Sequence, residues 1–268
     1  MRVAVTAVCQ NPRMWRERRR AERFGEDAER YERARPGYPD AIVDDLMATA
    51  PHEVVDIGCG TGKMGRLLAA RGCDVLGVEP DGRMAAVARS HGLRVEISPF
   101  ETWDSREREF DLAVSAQSWH WIEPAAAIER VALVLRVGAV LAVCWNRATY
   151  DDDLDRAFAE IYQRLAPSIA TRTVVLGTVP DDKLGHHLPL LSAAPMFSAP
   201  RRRVHRWRHE YTGAQFVDLL QTHSDHRMLR AADRARLLEE VERVIAGRGG
   251  RIAMHYRTTL LTATRVAG

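Results

Sequence analysis

From Glu53 to Trp145 the chain repeats one unit, a short apolar run rich in β-branched residues followed by a helical pattern. The apolar runs are Glu53–Ile57, Asp74–Val78, Arg94–Ile97, Phe110–Ser115 and Ala139–Trp145. Lys63–Arg71, Arg83–His91 and Pro124–Leu135 carry apolar residues at helical spacing between them. A helix between two strands returns the chain across the sheet in a right-handed crossover, so the strands run parallel. Runs without polar alternation are covered on both faces. The expected fold class is therefore α/β, with a doubly wound, mostly parallel sheet.

The flanks differ. Residues 1–12 match no later element and read as a tail, with Met14 an equally good start. Residues 13–34 are charged, with Phe24, Ala28 and Tyr31 at helical spacing, and Pro36 and Pro39 stop that helix. Asp40–Ala50 is a second helix with Ile42, Val43, Leu46 and Met47 on its apolar side. After Trp145, a helical stretch runs from Asp151 to Leu165, and an irregular, Pro-containing stretch from Ser168 to Pro200. Val204–Tyr211 is a strand candidate, Ala214–Thr222 and Ala231–Ala246 are helices, and Gly247-Arg248-Gly249-Gly250 ends the second. The last alternating strand, Ile252–Arg265, has few helical neighbours and needs the earlier sheet to pair with. The intervening residues are thus an insertion within one domain. The expected divisions are a tail or helix over 1–23 and one domain over 24–268. Its core is 39–147, its lid or insertion 151–200, and its C-terminal strands and helices 201–268.

Composition removes several classes. With 46% hydrophobic and 28% charged residues the chain is globular. No apolar run approaches the ~18–20 residues of a membrane span. Val3–Cys9 is shorter than a signal-peptide core. Cys9, Cys59, Cys73 and Cys144 lack metal-ligand spacing, which argues against a disulfide framework or zinc site and suits a reducing, cytoplasmic setting. The net charge is only +3, and Lys63 and Lys183 are the only lysines. That reads as a coding bias toward Arg, and mixed signs such as Arg16-Glu17-Arg18 read as solvated helix. Nucleic acid and membrane are not expected partners.

The segment richest in chemistry is Val54-Val55-Asp56-Ile57-Gly58-Cys59-Gly60-Thr61-Gly62. A strand entering a glycine turn and then a helix places backbone at the carboxyl end of the sheet, where open α/β folds bind ligands. Free N–H groups at the helix start favour a carboxylate or phosphate. Lys63 and Gly65 break the GxGxxG spacing, which disfavours a pyrophosphate turn, and no GxxxxGK[ST] is present. Glu79 ends the next strand 19 residues after Gly60, where a carboxylate can accept both ribose hydroxyls of an adenosine.

This pattern resembles class I S-adenosylmethionine (SAM)-dependent methyltransferases, and within them the trans-aconitate methyltransferase-like small-molecule branch. The resemblance covers residues 24–145 well and the remainder loosely. It is carried by Asp56-Ile57-Gly58-Cys59-Gly60-Thr61-Gly62, Glu79-Pro80, Phe100-Glu101, Phe110–Gln117 and the segment Tyr31 to Pro39. It implies a Rossmann-like seven-stranded sheet with the last strand antiparallel, and SAM as cofactor. The implied cofactor residues are Tyr31, Arg35, Asp56, Gly58, Gly60, Gly62, Glu79, Pro80, Met84, Phe100, Glu101 and Gln117. Tyr31 and Arg35 belong to a flap, Met84 lies beside adenine, Glu101 near its amine and Gln117 near the methionine portion. Lys63 receives no role. Ser115-Ala116-Gln117-Ser118 stands where base and glutamine methylases carry an acidic- or Asn-Pro-Pro-Tyr motif.

A sulfonium methyl is already activated, so alignment of the nucleophile is the main task. His120, in Ser118-Trp119-His120-Trp121, is the candidate general base for a protonated acceptor, while a carboxylate acceptor needs none. Trp119 and Trp121 wall an acceptor pocket or belong to the core. Thr222, Ser224 and His226 are candidates to reach the acceptor. His186-His187 lack metal partners. Arg201 to Arg208 reads as a solvated edge strand, with a surface for an acidic substrate or nucleic acid as the other reading. The expected activity is methyl transfer to a small molecule, favouring oxygen, by a monomer or homodimer. RNA or protein methylation, a non-catalytic SAM-binding regulator and a nicotinamide dehydrogenase are the alternatives.

Overall fold

The computed structural model describes residues 22–170 and 187–267. The tail over 1–12, and His186, lie outside them, as does the side chain of Phe24. A 3-10 turn, Glu22–Asp27, leads into α1 (Ala28–Ala34), and Pro36 and Pro39 separate α1 from α2 (Asp40–Met47). Then come β1 (Glu53–Ile57), α3 (Lys63–Ala69), β2 (Asp74–Glu79), α4 (Gly82–Ser90) and β3 (Arg94–Ile97). β4 (Phe110–Ala116), α5 (Pro124–Val134) and β5 (Leu135–Thr149) complete the alternating half. The remainder is α6 (Asp152–Leu165), α7 (Pro167–Ala170), α8 (His187–Ala193), β6 (Arg201–Thr212), α9 (Gly213–Gln221), α10 (Ser224–Arg227), α11 (Ala231–Ala246) and β7 (Arg251–Thr264).

The seven strands form one sheet in the order β3-β2-β1-β4-β5-β7-β6. β1 to β5 pair in parallel, and β7 runs antiparallel between β5 and β6. The last strand thus returns to the earlier sheet, as its pattern requires. Val54 and Val55 face opposite clusters, as do Val114 and Ala113, because successive strand residues point to opposite faces. α2, α3 and α4 cover one face, and α5 the other. A third cluster gathers α6, α9 and α11 against the ends of β6 and β7, and takes in Ala34 of α1.

One expectation needs correction. The fifth strand extends well beyond Ala139–Trp145, because β7 pairs with it from Val140↔Thr264 to Thr149↔His255. The stretch after β5 opens with α6, whose Leu154, Phe158, Ile161 and Tyr162 are buried in the third cluster. The Arg-rich strand β6 is an edge strand, with Arg203 paired to Asp45 and Arg208 to Glu210.

Candidate functional site

The carboxyl ends of β1, β2, β4 and β5 and the flap segment around α1 enclose a cavity of about 790 Å³. Ligand sites commonly occupy this size range. The turn after β1 forms its floor. Gly58 has φ of +64°, and a side chain there would meet Ser118 Cβ at 2.6 Å. The Ser118 hydroxyl donates to Ile57 O at 2.6 Å, tying the segment after β4 to the end of β1.

Glu79 closes β2 and is buried. One carboxylate oxygen accepts the Gly60 N–H and the other the Asp81 N–H, each at 2.9 Å. Burial pushes its carboxyl up to about 7, while these two N–H groups pull it down. Asp56 sits under the turn. Its Oδ2 accepts the Gly65 N–H at 2.9 Å, its Oδ1 has no partner, and burial pushes it up to about 7 as well.

The flap is held from two sides. Lys63 Nζ donates to Glu32 O at 2.6 Å, and Glu32 also pairs with Arg66, so α1 is fastened to α3. Asn146 Nδ2 donates to Gly37 O at 2.8 Å, while Asn146 Oδ1 accepts the Thr258 hydroxyl at 2.6 Å. Between these anchors, Arg35 lies 5.2 Å from the Tyr31 ring centroid and donates through Nη2 to Thr222 O at 3.2 Å. Its Nε is buried without a partner, and no carboxylate among the described residues pairs with it.

At the β4 end, Gln117 adopts φ of +64° and donates through Nε2 to Asn146 O at 3.1 Å. A non-glycine residue held in this region is a recurring feature of functional sites. His120 follows in the 3-10 turn Trp119–Trp121, and its Nδ1 accepts the indole N–H of Trp145 at 3.3 Å. Trp119 is core, whereas Trp121 lines the cavity.

Tyr31, Arg35, Asp56, Gly58, Gly60, Glu79, Pro80, Met84, Phe100, Glu101, Gln117 and His120 all line this one cavity. Gly62 does not. It takes φ of +83° at the start of α3, where a side chain would strike Leu93 Cδ1 at 2.5 Å, so its place is set by packing. Thr222, Ser224 and His226 also stand apart from the lining. They are buried, and His226 Nε2 and the Tyr162 hydroxyl share a 2.6 Å bond. Burial pushes His226 down to about 3. Among the described residues no group of His, Cys, Asp or Glu could hold a metal ion. Tyr38, Lys63 and Asn146 join the lining without having been singled out for binding. Asn146 sits one residue past the expected end of the fifth strand, where the rule that ligands meet strand carboxyl ends would have found it.

Residues 54–138 match the family model of a methyltransferase domain. An uncharacterized methyltransferase of Mycobacterium tuberculosis is 31% identical over 251 residues, covering 90% of this chain and 95% of that protein. A trans-aconitate 2-methyltransferase of Mycobacterium ulcerans is 32% identical over 114 residues, covering 41% of this chain and 42% of that one. Among solved structures, a protein of Anaeromyxobacter dehalogenans classed as a type II methyltransferase superposes with a TM-score of 0.60 at 20% identity. That match covers 87% of this chain and 99% of the other, and it is a likeness of fold.

Proposed function

The chain belongs to the class I SAM-dependent methyltransferases, and from that premise we propose that it transfers the methyl group of SAM to an oxygen of a small-molecule acceptor. The observation that carries the reading is Glu79, a buried carboxylate at the tip of β2 in the same cavity as the glycine turn. Two of the roughly four acceptor positions of a carboxylate are taken by backbone, which leaves capacity for sugar hydroxyls. Arg35 supports the fit independently. Its Nε is buried without a partner, and a methionine carboxylate would supply the missing acceptor.

On this reading Glu79 accepts both ribose hydroxyls, Met84 and Phe100 flank the adenine, and Glu101 accepts its amine. Tyr31, Arg35 and Gln117 surround the methionine portion, and the backbone of Gly58 and Gly60 lets it approach closely. Bound SAM supplies a methyl group on a positively charged sulfur, activated for direct displacement. The chain's task is then to orient the acceptor, exclude water and meet its charge. His120 and Trp121 line the part of the cavity reached by an acceptor from the β4 side. Ser115-Ala116-Gln117-Ser118 replaces the motif of exocyclic-amine methylases, which favours oxygen. Pairing of Arg203 and Arg208 to carboxylates breaks up the Arg-rich strand as a phosphate-binding surface, which favours a small acceptor over RNA. Among the described residues no helix is long and apolar enough to cross a membrane.

The test is incubation with methyl-labelled SAM and a fractionated cell extract. Label is expected in a low-molecular-weight compound, with SAM uptake seen by calorimetry. Label confined to RNA or protein, or no uptake at millimolar SAM, would overturn the proposal.

A further inference from the structure

We propose that His223, which caps α10, and His226 within it are positioning residues for Arg35. They hold its guanidinium beneath the flap among neutral groups, which makes the carboxylate of the cofactor the feature the site selects for. The inference rests on the cofactor reading and deepens it, with residues that lie outside the cavity lining.

The first argument is how the chain anchors Arg35. The Thr222 hydroxyl donates to Leu219 O at 2.6 Å and closes the end of α9, and the Thr222 carbonyl accepts Arg35 Nη2 at 3.2 Å. That is the guanidinium's one hydrogen bond among the described residues. It is made to a helix C-terminus, where the aligned peptide dipoles carry roughly half a negative charge. Such a contact fixes the cation and cancels only part of its charge.

The second argument is the neutrality of the groups behind it. His223 follows Thr222 directly, and its ring centroid lies 5.9 Å from that of His226. His226 is fully buried and fixed by the 2.6 Å bond between its Nε2 and the Tyr162 hydroxyl. Burial, and after it the charge of Arg35, hold the His223 imidazole well below its ordinary value. His226 is pushed down to about 3 by burial and by the charges of Arg234 and Arg35. Both rings are therefore neutral at pH 7 and set no second cation beside the first. Tyr211 and Tyr256, which also sense Arg35, join hydroxyl to hydroxyl at 2.8 Å and keep their protons.

The third argument is what the cradle leaves unmatched. Arg35 Nε, His223 Nε2 and His226 Nδ1 are each buried without a partner. Unmatched buried polar atoms destabilise a fold, and a carboxylate at position 223 would give Arg35 a counter-charge. The chain has imidazole there instead. A guanidinium that is fixed but not neutralised is open to a ligand anion, and its fork fits a carboxylate.

Two measurements test this with a pair of probes. S-adenosylhomocysteine carries the carboxylate, whereas 5′-methylthioadenosine keeps the nucleoside and sulfur and lacks the amino acid. Calorimetry should find the first bound ~10–100-fold more tightly by the wild-type protein, the worth of a hydrogen bond between charged groups. His223→Glu, which sets a counter-charge beside Arg35, should erase most of that gap and leave the affinity for 5′-methylthioadenosine within ~2-fold. His223→Gln has the same reach without the charge and should keep the gap. His226→Leu, which gives up the bond to Tyr162, should narrow the gap, and His226→Gln should restore it. A wild-type gap under ~3-fold, a full gap in folded His223→Glu, or equal losses for both probes overturns the proposal, because a purely structural role weakens both together. The second measurement does not depend on how those variants fold. In wild-type protein labelled with ¹⁵N-arginine, the Arg35 Nε–H resonance, assigned from Arg35→Lys, should shift strongly with S-adenosylhomocysteine and little with 5′-methylthioadenosine. Equal shifts with both overturn it as well. Those failures leave the cofactor reading standing, whereas a protein that binds neither probe defeats that reading and this inference with it.

Discussion

Glu79 couples the site to pH. Its carboxyl is raised to about 7, first by burial, against the pull of two backbone N–H groups. With the folded value above the ordinary one of 4.5, the empty protein keeps a proton on Glu79 below about 7. Its contribution to stability is accordingly fullest at low pH and declines as pH rises from 4.5 to about 7. Ribose hydroxyls favour the ionised form, so SAM binding runs the other way. Affinity should be full above about 7 and fall toward tenfold per pH unit below it, with a proton released on binding. Glu79→Gln should weaken binding at high pH by ~1.5–3 kcal/mol, the worth of a hydrogen bond to a charged group, and flatten the slope. Calorimetry across this range, in buffers of different ionisation heat, would settle it, and equal affinity throughout would refute it. Any slope left in the variant belongs to Asp56, which titrates in the same window under the turn. At this scale much of the site was legible. Asp56, Gly58, Gly60 and Glu79 are placed by strand ends and turn chemistry. The Trp145–His120 bond was not, because the two residues come from different elements 25 positions apart, and only the packed core sets the indole's direction.

At the scale of elements, the flap is secured by a few polar contacts. Glu32 joins α1 to α3 through Arg66 and Lys63, and α3 begins at the glycine turn itself. Burial opposes ionisation of Glu32, but the Thr61 hydroxyl and the two cations hold its carboxyl below the usual value. Removing it should loosen the flap without unfolding the sheet. Glu32→Ala is expected to weaken SAM binding by about 1 kcal/mol, near fivefold, mostly through faster release. Stopped-flow dissociation measures this, and an unchanged off-rate with native circular dichroism would reject the latch. Elements with strong local signals were readable from sequence. Both prolines stop α1, and the long amphipathic helix over Ala231–Ala246 was placed to the residue. Elements shaped by distant partners were not. β5 reaches fifteen residues because β7 extends the ladder on its other edge, and no local property of Arg147 or Thr149 announces that. Likewise the helical pattern from Asp151 to Leu165 was readable, but not that its apolar face fills the third cluster, because its partners α9 and α11 lie some fifty residues or more further along the chain.

For the whole molecule, β7 decides how many units unfold. Its first half supplies Ile252, Met254 and Tyr256 to the cluster under α6, α9 and α11. Its second half supplies Leu260 to one face of the sheet, and Leu261 and Ala263 to the other. One strand thus crosses all three clusters, and losing any of them pulls on the others. Phe216 tests this from the far end. It is fully buried, stacks on Phe158 with ring centroids 5.8 Å apart, and meets Tyr150 edge-on at 6.4 Å. Phe216→Ala should cost ~3–5 kcal/mol by leaving a cavity, and lower the melting temperature by roughly 10 °C. Because β7 binds the clusters together, the loss should appear as one earlier transition, with tryptophan fluorescence and helical circular dichroism moving in step. Two separated transitions would mean that the C-terminal helices melt away from a sheet that stands without them. Ala34 at the end of α1 belongs to the same cluster as Phe216, so the variant should also bind SAM more weakly at temperatures where it is still folded. Packing within α9, just past the end of β6, would then reach the cofactor through the base of the flap, with no contact to the ligand itself.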